Sequence, residues 1–126
     1  SVVAIEEVPM SQTNKYGIVA GHLVEDSFDT YQVTDMVEKP EEKDSPGNMA
    51  IIGRYILTPD IFNILKKIKP GKSGEIQITD ALNIQAKDNK VVAYKFKGER
   101  FDCGSVKGYL EANNYFAKKI SLIKDN

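Results

Sequence analysis

The sequence contains few of the residues that build disulfide frameworks and metal clusters. It has one cysteine, Cys103, and one histidine, His22, far apart along the chain. One cysteine excludes an internal disulfide, and the pair is too small a set for a structural zinc site. We therefore predict a reducing compartment, the cytoplasm. Cys103 is expected to be a small buried hydrophobic side chain rather than the nucleophile of a Cys–His pair, and His22 is expected at the surface.

Net charge is low as well, −1 over 126 residues, with acidic and basic residues mixed along the chain. No basic patch favours nucleic acid as a partner, and no apolar run is long enough to span a membrane. The first residues lack a signal-peptide pattern. The length and the 41% hydrophobic share fit a single domain over residues 1–126 with a real core.

The chain begins abruptly. A strand-like run, Val2 to Val8, follows Ser1 at once, without an initiator methionine. We expect the chain to be a piece of a longer protein; trimming for expression is the alternative explanation.

Hydrophobic alternation and helical periodicity predict an α/β fold with a mixed sheet and flanking helices. Strands are predicted over residues 2–8, 16–21, 31–39, 49–57 and 91–97, with a polar loop over 11–15. Helices are predicted from 58 to 70 with Thr58 as N-cap, over 75–87, and after a Ser105 cap. The strand over 49–57 is expected to be covered on both faces. The last helix is expected to bury an apolar stripe: Val106, Tyr109, Leu110, Phe116, Ala117, Ile120 and Ile123.

The stretch Val37-Glu38-Lys39-Pro40 ends the third predicted strand with two opposite charges. Because Lys39 precedes proline, we predict an extended backbone there. Strand alternation places Glu38 and Lys39 on opposite faces, so the strand must twist or bulge if both serve one ligand. A lysine ammonium suits a phosphate, and a glutamate accepts sugar hydroxyls. A strand end with two solvated charges is the competing interpretation.

Three other features are candidates for chemistry. Gly17 within a strand marks a bulge or a close approach by a ligand or backbone. Asp102 could take one position on Mg²⁺, or could simply hydrogen-bond its own turn. Glu75 and Asp80 suit a helix start, and one of them could shape a pocket. The glycine-containing loop 71–74 lacks the spacing of a phosphate-binding P-loop.

Five motifs in one order carry a resemblance: Lys15–Val19, Met36–Pro40, Asn48–Tyr55, Gly74–Ala81, and Phe101–Gly104 with Gly108-Tyr109. From about Tyr16 to about Lys119 the chain resembles the C-terminal half of the sugar-phosphate nucleotidyltransferases. The fourth and fifth motifs are similar to the uridylyl branch, the bacterial UTP–glucose-1-phosphate uridylyltransferases. The resemblance implies the C-terminal portion of a Rossmann-like fold without its N-terminal nucleotide-binding half.

The resemblance also implies an activity and residue roles. The activity is uridylyl transfer from UTP to glucose 1-phosphate, giving UDP-glucose and pyrophosphate. Lys39 would hold the phosphate as the catalytic lysine, while Glu38, Gly17, Tyr16 and Ile51 would bind the sugar. Asp102 would be a ligand of Mg²⁺.

With half of the site absent, we expect the chain alone to be inactive, and we expect the full-length protein to be a homo-oligomer. The alternatives are a donor other than UTP (dTTP, CTP or ATP) and a non-catalytic sugar-nucleotide-binding module.

Overall fold

A computed structural model describes residues 1–71 and 74–120. The chain divides into two compact units, Ser1–Phe96 and Lys97–Asn126. The first contains strands β1 (Val2–Glu7), β2 (Gly17–Leu23), β3 (Thr30–Glu38), β4 (Met49–Ile56) and β5 (Val92–Lys95), with helices α1 (Ile61–Leu65) and α2 (Ile78–Lys87). The second contains helix α3 (Val106–Lys119). Short 3₁₀ turns lie at Met10–Lys15 and Glu42–Asp44. The predicted α/β class is confirmed.

The five strands form one mixed sheet in the order β1-β4-β2-β3-β5. Strand β5 runs parallel to β1, whereas the other neighbours are antiparallel. Because β5 pairs with both β1 and β3, the sheet closes on itself. The mixed sheet was predicted; its closure was not. Among the described residues, no helix is long and apolar enough to cross a bilayer.

Helix α2 docks on β3 and fixes the elements that form the site. Its buried positions Ala81, Leu82 and Ala86 agree with the predicted inward face and join the core cluster with Val33. Fully burying a side chain such as Leu82 contributes about 1.5–3 kcal/mol. The backbone N–H of Met36 on β3 also donates to the side-chain oxygen of Asn83 on α2, at 3.1 Å. Helix and strand are therefore held by apolar packing and by a side-chain bond.

Strand β4 departs from the expectation that both of its faces are covered. Between the pairs Val3–Tyr55 and Ile5–Ile51, β1 has one residue and β4 has three, which is a bulge. Gly53 lies in the bulge with φ +79°, a left-handed backbone that suits glycine. The expectation is wrong from Gly53 onward, because Gly53, Arg54 and Ile56 are exposed, although Tyr55 and Leu57 still pack against the core.

Helix α1 ends at Leu65, five residues before the predicted end, and Thr58 does not cap it. The Thr58 hydroxyl instead accepts a hydrogen bond from Nε2 of Gln85, at 3.1 Å. Gln85 is completely buried, and a buried amide needs such partners. The predicted polar loop over 11–15 is likewise a 3₁₀ turn, in which the buried Thr13 hydroxyl donates to the carbonyl of Met10 at 2.9 Å.

In the second unit, the predicted Ser105 cap is confirmed, whereas the predicted burial of the apolar stripe of the last helix is wrong. Ser105 caps α3, and its hydroxyl oxygen accepts the Gly108 N–H at 3.1 Å. Five of the predicted inward side chains are exposed, from 53% for Phe116 to 79% for Val106, and Ala117 is half-buried; only Gly108 and Ala112 of the helix are buried. One helix and its preceding turn offer too little surface to bury so wide a stripe. Ile123 lies outside the described residues.

Candidate functional site

The backbone turns sharply where β3 ends at Glu38. Lys39 has φ +46°, so the prediction of an extended backbone at this residue is wrong. Pro40 disfavours the right-handed helical region, but it does not by itself select the extended one. The Lys39 N–H donates to the carbonyl of Tyr16 at 2.9 Å, next to the paired residues Gly17 and Glu38. This contact with the residue just before β2 holds Lys39 in the left-handed region.

The turn brings two side chains together that strand alternation would separate. Lys39 Nζ lies 4.0 Å from Glu38 Oε1. The Lys39 side chain is 61% exposed, whereas that of Glu38 is 23% exposed. An ion pair of this length and exposure contributes little to stability. Because the two charged groups lie this close together, the twist that a shared ligand would require is present.

The other oxygen of Glu38 is held from a different element. Thr79 Oγ1, on α2, donates to Glu38 Oε2 at 2.6 Å. A Cβ at Gly17 would lie 3.0 Å from that oxygen and 3.1 Å from both Thr79 Oγ1 and Ile51 Cδ1. The missing side chain at Gly17 thus makes room for the carboxylate and its donor.

Two cavities adjoin at Glu38. The smaller, about 250 Å³, is lined by Lys15, Tyr16, Gly17, Glu38, Ile51, Gly53, Tyr55, Gln77, Ile78 and Thr79. Four of the five residues for which a substrate contact was predicted therefore line one cavity. The larger, about 520 Å³, is lined by Met36, Val37, Glu38, Lys39, Gly71, Glu75, Gln77 and Asp80. Lys39 lies in this second cavity, and the alternative that acids at positions 75 and 80 shape a pocket agrees with the lining.

Sequence reasoning assigned no role to Thr79 or Tyr55. Thr79 had a readable signal: it is polar yet lies on the inward stripe of α2 with Leu82 and Ala86, so it needed a buried partner. Tyr55 had none, because its direction depends on the bulge in β4. Burial raises the pKa of the Tyr55 phenol, and the Glu38 carboxylate raises it further. Tyr55 is therefore a protonated hydroxyl at neutral pH, available to a ligand in the smaller cavity.

Asp102 is held by its own turn. Its Oδ1 accepts the Gly104 N–H at 3.0 Å, and its carbonyl accepts from the N–H and hydroxyl of Ser105 at 3.3 and 3.2 Å. Within residues 1–71 and 74–120, no three His, Cys, Asp or Glu side chains are grouped to hold a metal ion. A lone exposed carboxylate does suit an ion that takes its other ligands from water and phosphates, as Mg²⁺ does. The metal role of Asp102 stays a prediction.

Cys103 and His22 give one correction and one confirmation. Cys103 is free and exposed, so the expectation of a buried small hydrophobic side chain is wrong. It lies in the turn ahead of α3, where there is little structure to cover it. His22 is exposed near the end of β2, as predicted.

Comparison with known proteins identifies the class. A family model described as nucleotidyl transferase matches residues 1–119, and the chain belongs to that family. The chain is 61% identical over 115 residues to the UTP–glucose-1-phosphate uridylyltransferase of Pseudomonas aeruginosa, covering 91% of this chain and 40% of that protein. To the enzyme of the same name from Staphylococcus haemolyticus it is 42% identical over 125 residues, covering 99% and 43%.

A solved structure agrees with these relatives. The crystal structure of a UDP-glucose pyrophosphorylase complexed with UDP-glucose matches with a TM-score of 0.86 at 57% identity, covering 94% of this chain and 44% of that one. The predicted resemblance is thus confirmed. The chain spans about two fifths of the length of the curated relatives it matches.

Proposed function

We propose that this chain is the sugar-phosphate-binding portion of a UTP–glucose-1-phosphate uridylyltransferase. The whole protein would convert UTP and glucose 1-phosphate to UDP-glucose and pyrophosphate. The observation that carries the proposal is the Glu38 carboxylate, which lines both cavities with Lys39 Nζ 4.0 Å away. The relatives at 61% and 42% identity support UTP rather than another nucleotide as the donor.

The two cavities suggest how one sugar phosphate would lie. The smaller one would hold the hexose, with Glu38 accepting hydroxyl donors and the Gly17 backbone, Tyr16 and Ile51 lining the ring. The larger one would hold the phosphate beside Lys39. A lysine ammonium is a compact charge that can orient the phosphate oxygen for in-line attack on the α-phosphorus of UTP. Pyrophosphate would then leave, and Lys39 would offset charge at the attacking phosphate.

Nucleotidyltransferases generally use a divalent metal ion, and we propose Mg²⁺ with Asp102 as one of its ligands. The Asp102 carboxylate is exposed, and its Oδ1 is oriented by the Gly104 N–H. Hard carboxylate oxygens are the ligands that Mg²⁺ prefers. When bound, the ion would neutralise phosphate charge on the nucleotide.

We further propose that the chain alone binds ligand weakly and turns nothing over, because its relatives are more than twice as long. A nucleotide substrate and the free, exposed Cys103 thiol support a cytoplasmic location. Association of the whole protein into a homo-oligomer stays a prediction.

Two measurements on the purified 126-residue chain test the proposal. Isothermal titration should show binding of glucose 1-phosphate and UDP-glucose that Lys39→Ala weakens. A coupled assay for pyrophosphate release from UTP and glucose 1-phosphate, with Mg²⁺, should show no turnover. If neither ligand binds, the proposed sugar-phosphate site is wrong. If the verified chain turns over substrate, the claim that further sequence is needed is wrong.

A further inference from the structure

We infer that Thr79 is a positioning residue of this site: its hydroxyl holds Glu38 Oε2, so that Glu38 Oε1 is the oxygen presented to a sugar hydroxyl. The inference rests on the proposed function, since it concerns how the same carboxylate binds its ligand. Thr79 acts through Glu38.

The contact has the geometry of a strong hydrogen bond. The 2.6 Å separation of Thr79 Oγ1 and Glu38 Oε2 lies in the range of an O–H donor bound to an ionised carboxylate. Thr79 is 3% exposed, so water competes little for its hydroxyl. Oε2 is also crowded, because the space above Gly17 is bounded by Oε2, Ile51 Cδ1 and Thr79 Oγ1. Oε1, by contrast, lies on the side of Lys39 Nζ.

Both partners are carried by well-anchored elements. Thr79 is the second residue of α2, whose N-terminus favours a nearby negative charge. The helix is fixed by the burial of Leu82 and by the Asn83 bond to the Met36 N–H. A free glutamate side chain samples several rotamers, and holding one of them in advance lowers the cost of ligand binding. The Thr79 hydroxyl supplies that restriction.

The first test compares Thr79→Val, which removes the hydroxyl at nearly constant volume, with Thr79→Ser, which keeps it. The bond is present before the ligand arrives, so binding loses only the ordering of the Glu38 side chain, and Thr79→Val should weaken binding of glucose 1-phosphate and UDP-glucose about 3- to 10-fold by titration. Thr79→Ser should stay within about twofold of the original chain. Thr13→Val is the matched control: Thr13 is also buried, but its hydroxyl donates to the Met10 carbonyl, and affinity should not change.

A double-mutant cycle distinguishes a Thr79 that positions Glu38 from a Thr79 that only supports the fold. In a Glu38→Ala background, Thr79→Val should change affinity by less than about twofold, because nothing is left to position. Losses that multiply would overturn the inference, as would wild-type affinity in Thr79→Val. The Tyr55 phenol gives a readout without ligand: its pKa should fall in Thr79→Val once the Glu38 carboxylate can swing away.

If Thr79→Val fails to fold, Thr79→Ala, which also removes the hydroxyl, decides the question. Its affinity should fall by about the same 3- to 10-fold, while Thr79→Ser binds within about twofold of the original chain. Binding by Thr79→Ala within about twofold of the original chain would overturn the inference. An original chain that binds neither ligand would instead overturn the proposed function itself, before any variant is compared.

Discussion

Two carboxylates that sequence reasoning singled out are held in opposite ways. Glu38 is bonded by a threonine 41 residues away on another element, whereas Asp102 is bonded by the backbone two residues further on. The first arrangement exists only when sheet and helix are folded together. The second is a property of one turn. Glu38 is therefore placed with the precision of the packed first unit, and Asp102 is oriented only relative to its own loop.

The largest effect is expected at the strand end. In a longer protein that completes the enzyme, Lys39→Ala should lower kcat/KM about 10²- to 10³-fold, as the loss of one charge-stabilising group does. The free energy of unfolding should change by less than about 0.5 kcal/mol, since the side chain is mostly exposed. Pyrophosphate release and urea unfolding measure the two.

Lys39→Gly is the matched control for the backbone at φ +46°, because glycine adopts that conformation freely. It should lose as much activity as the alanine variant and be at least as stable. Equal losses of activity and stability in both variants would show that Lys39 is structural and would remove the contrast with Asp102.

At the other carboxylate, Asp102→Asn should leave the turn intact, because an amide oxygen can still accept the Gly104 N–H. The charge is lost, so the Mg²⁺ concentration for half-maximal activity of the longer protein should rise about tenfold or more. A Mg²⁺ titration at saturating substrates measures this. An unchanged Mg²⁺ titration would show that Asp102 is not a ligand of the metal ion and has only a local role in the turn.

The same contrast explains what could be predicted from sequence. The positions of the five strands, the inward face of α2 and the Ser105 cap were predicted from local signals, and the structure confirms them. The left-handed Lys39 depends on the carbonyl of Tyr16, a residue on the far side of a strand pair, and no local pattern contains that contact. Closure of the sheet is likewise a long-range pairing. The residues of the predicted stripe on α3 are apolar, as the helical periodicity indicated, but periodicity alone does not predict whether such side chains are buried.

Polar residues on inward faces were the missed signal. Thr79 and Gln85 both fall on the buried side of α2, and both have specific partners. Because a buried polar group must be satisfied, such positions predict a partner even when they do not identify it. The partner of Thr79 is a residue of the site, whereas that of Gln85 is Thr58 at the start of α1.

Two glycines sharpen the comparison between the carboxylates. Gly17→Ala places a methyl group 3.0 Å from Glu38 Oε2, inside a packed region, and should cost about 1–3 kcal/mol of stability and about tenfold in affinity for glucose 1-phosphate. Gly104→Ala places a methyl group 3.1 Å from Asp102 Oδ1, in an exposed turn that can move, and should cost less than about 0.5 kcal/mol of stability. Thermal unfolding measures the stability of the two variants, and titration measures their affinity for glucose 1-phosphate. Equal losses of stability in the two variants would contradict a rigidly held Glu38 and an adaptable Asp102.

The cap of α3 offers a smaller, local effect. Ser105→Ala removes the acceptor for the Gly108 N–H and should cost about 0.5–2 kcal/mol within the second unit. Hydrogen exchange of the first turn of α3 should accelerate, while exchange in β3 and α2 stays unchanged. Ser105→Gly should cost only a few tenths of a kcal/mol, and is the control. Faster exchange at Glu38 would mean that the two carboxylates are not independently supported.

The smallest effect concerns an ion pair at the far end of α2. Lys87 Nζ lies 2.8 Å from Asp35 Oδ1 on β3, and this hydrogen bond from Lys87 lowers the pKa of the Asp35 carboxyl below its ordinary value of 3.8. A lowered folded pKa contributes stability above the unfolded value, and that contribution is lost as pH falls through the folded one. With the two side chains 42% and 59% exposed, it should be about 0.2–1 kcal/mol.

Asp35→Asn should thus destabilise the chain slightly at pH 7, and the difference should shrink toward zero once the pH is well below 3.8. Urea unfolding at a series of pH values measures it, and added salt should reduce it at pH 7. Affinity for glucose 1-phosphate should not change, because Thr79 meets Glu38 at the opposite end of α2 and the helix is fixed there by buried side chains. A large loss of affinity would show that surface charge, not packing, holds α2 against β3, and Glu38 would then be no more firmly placed than Asp102.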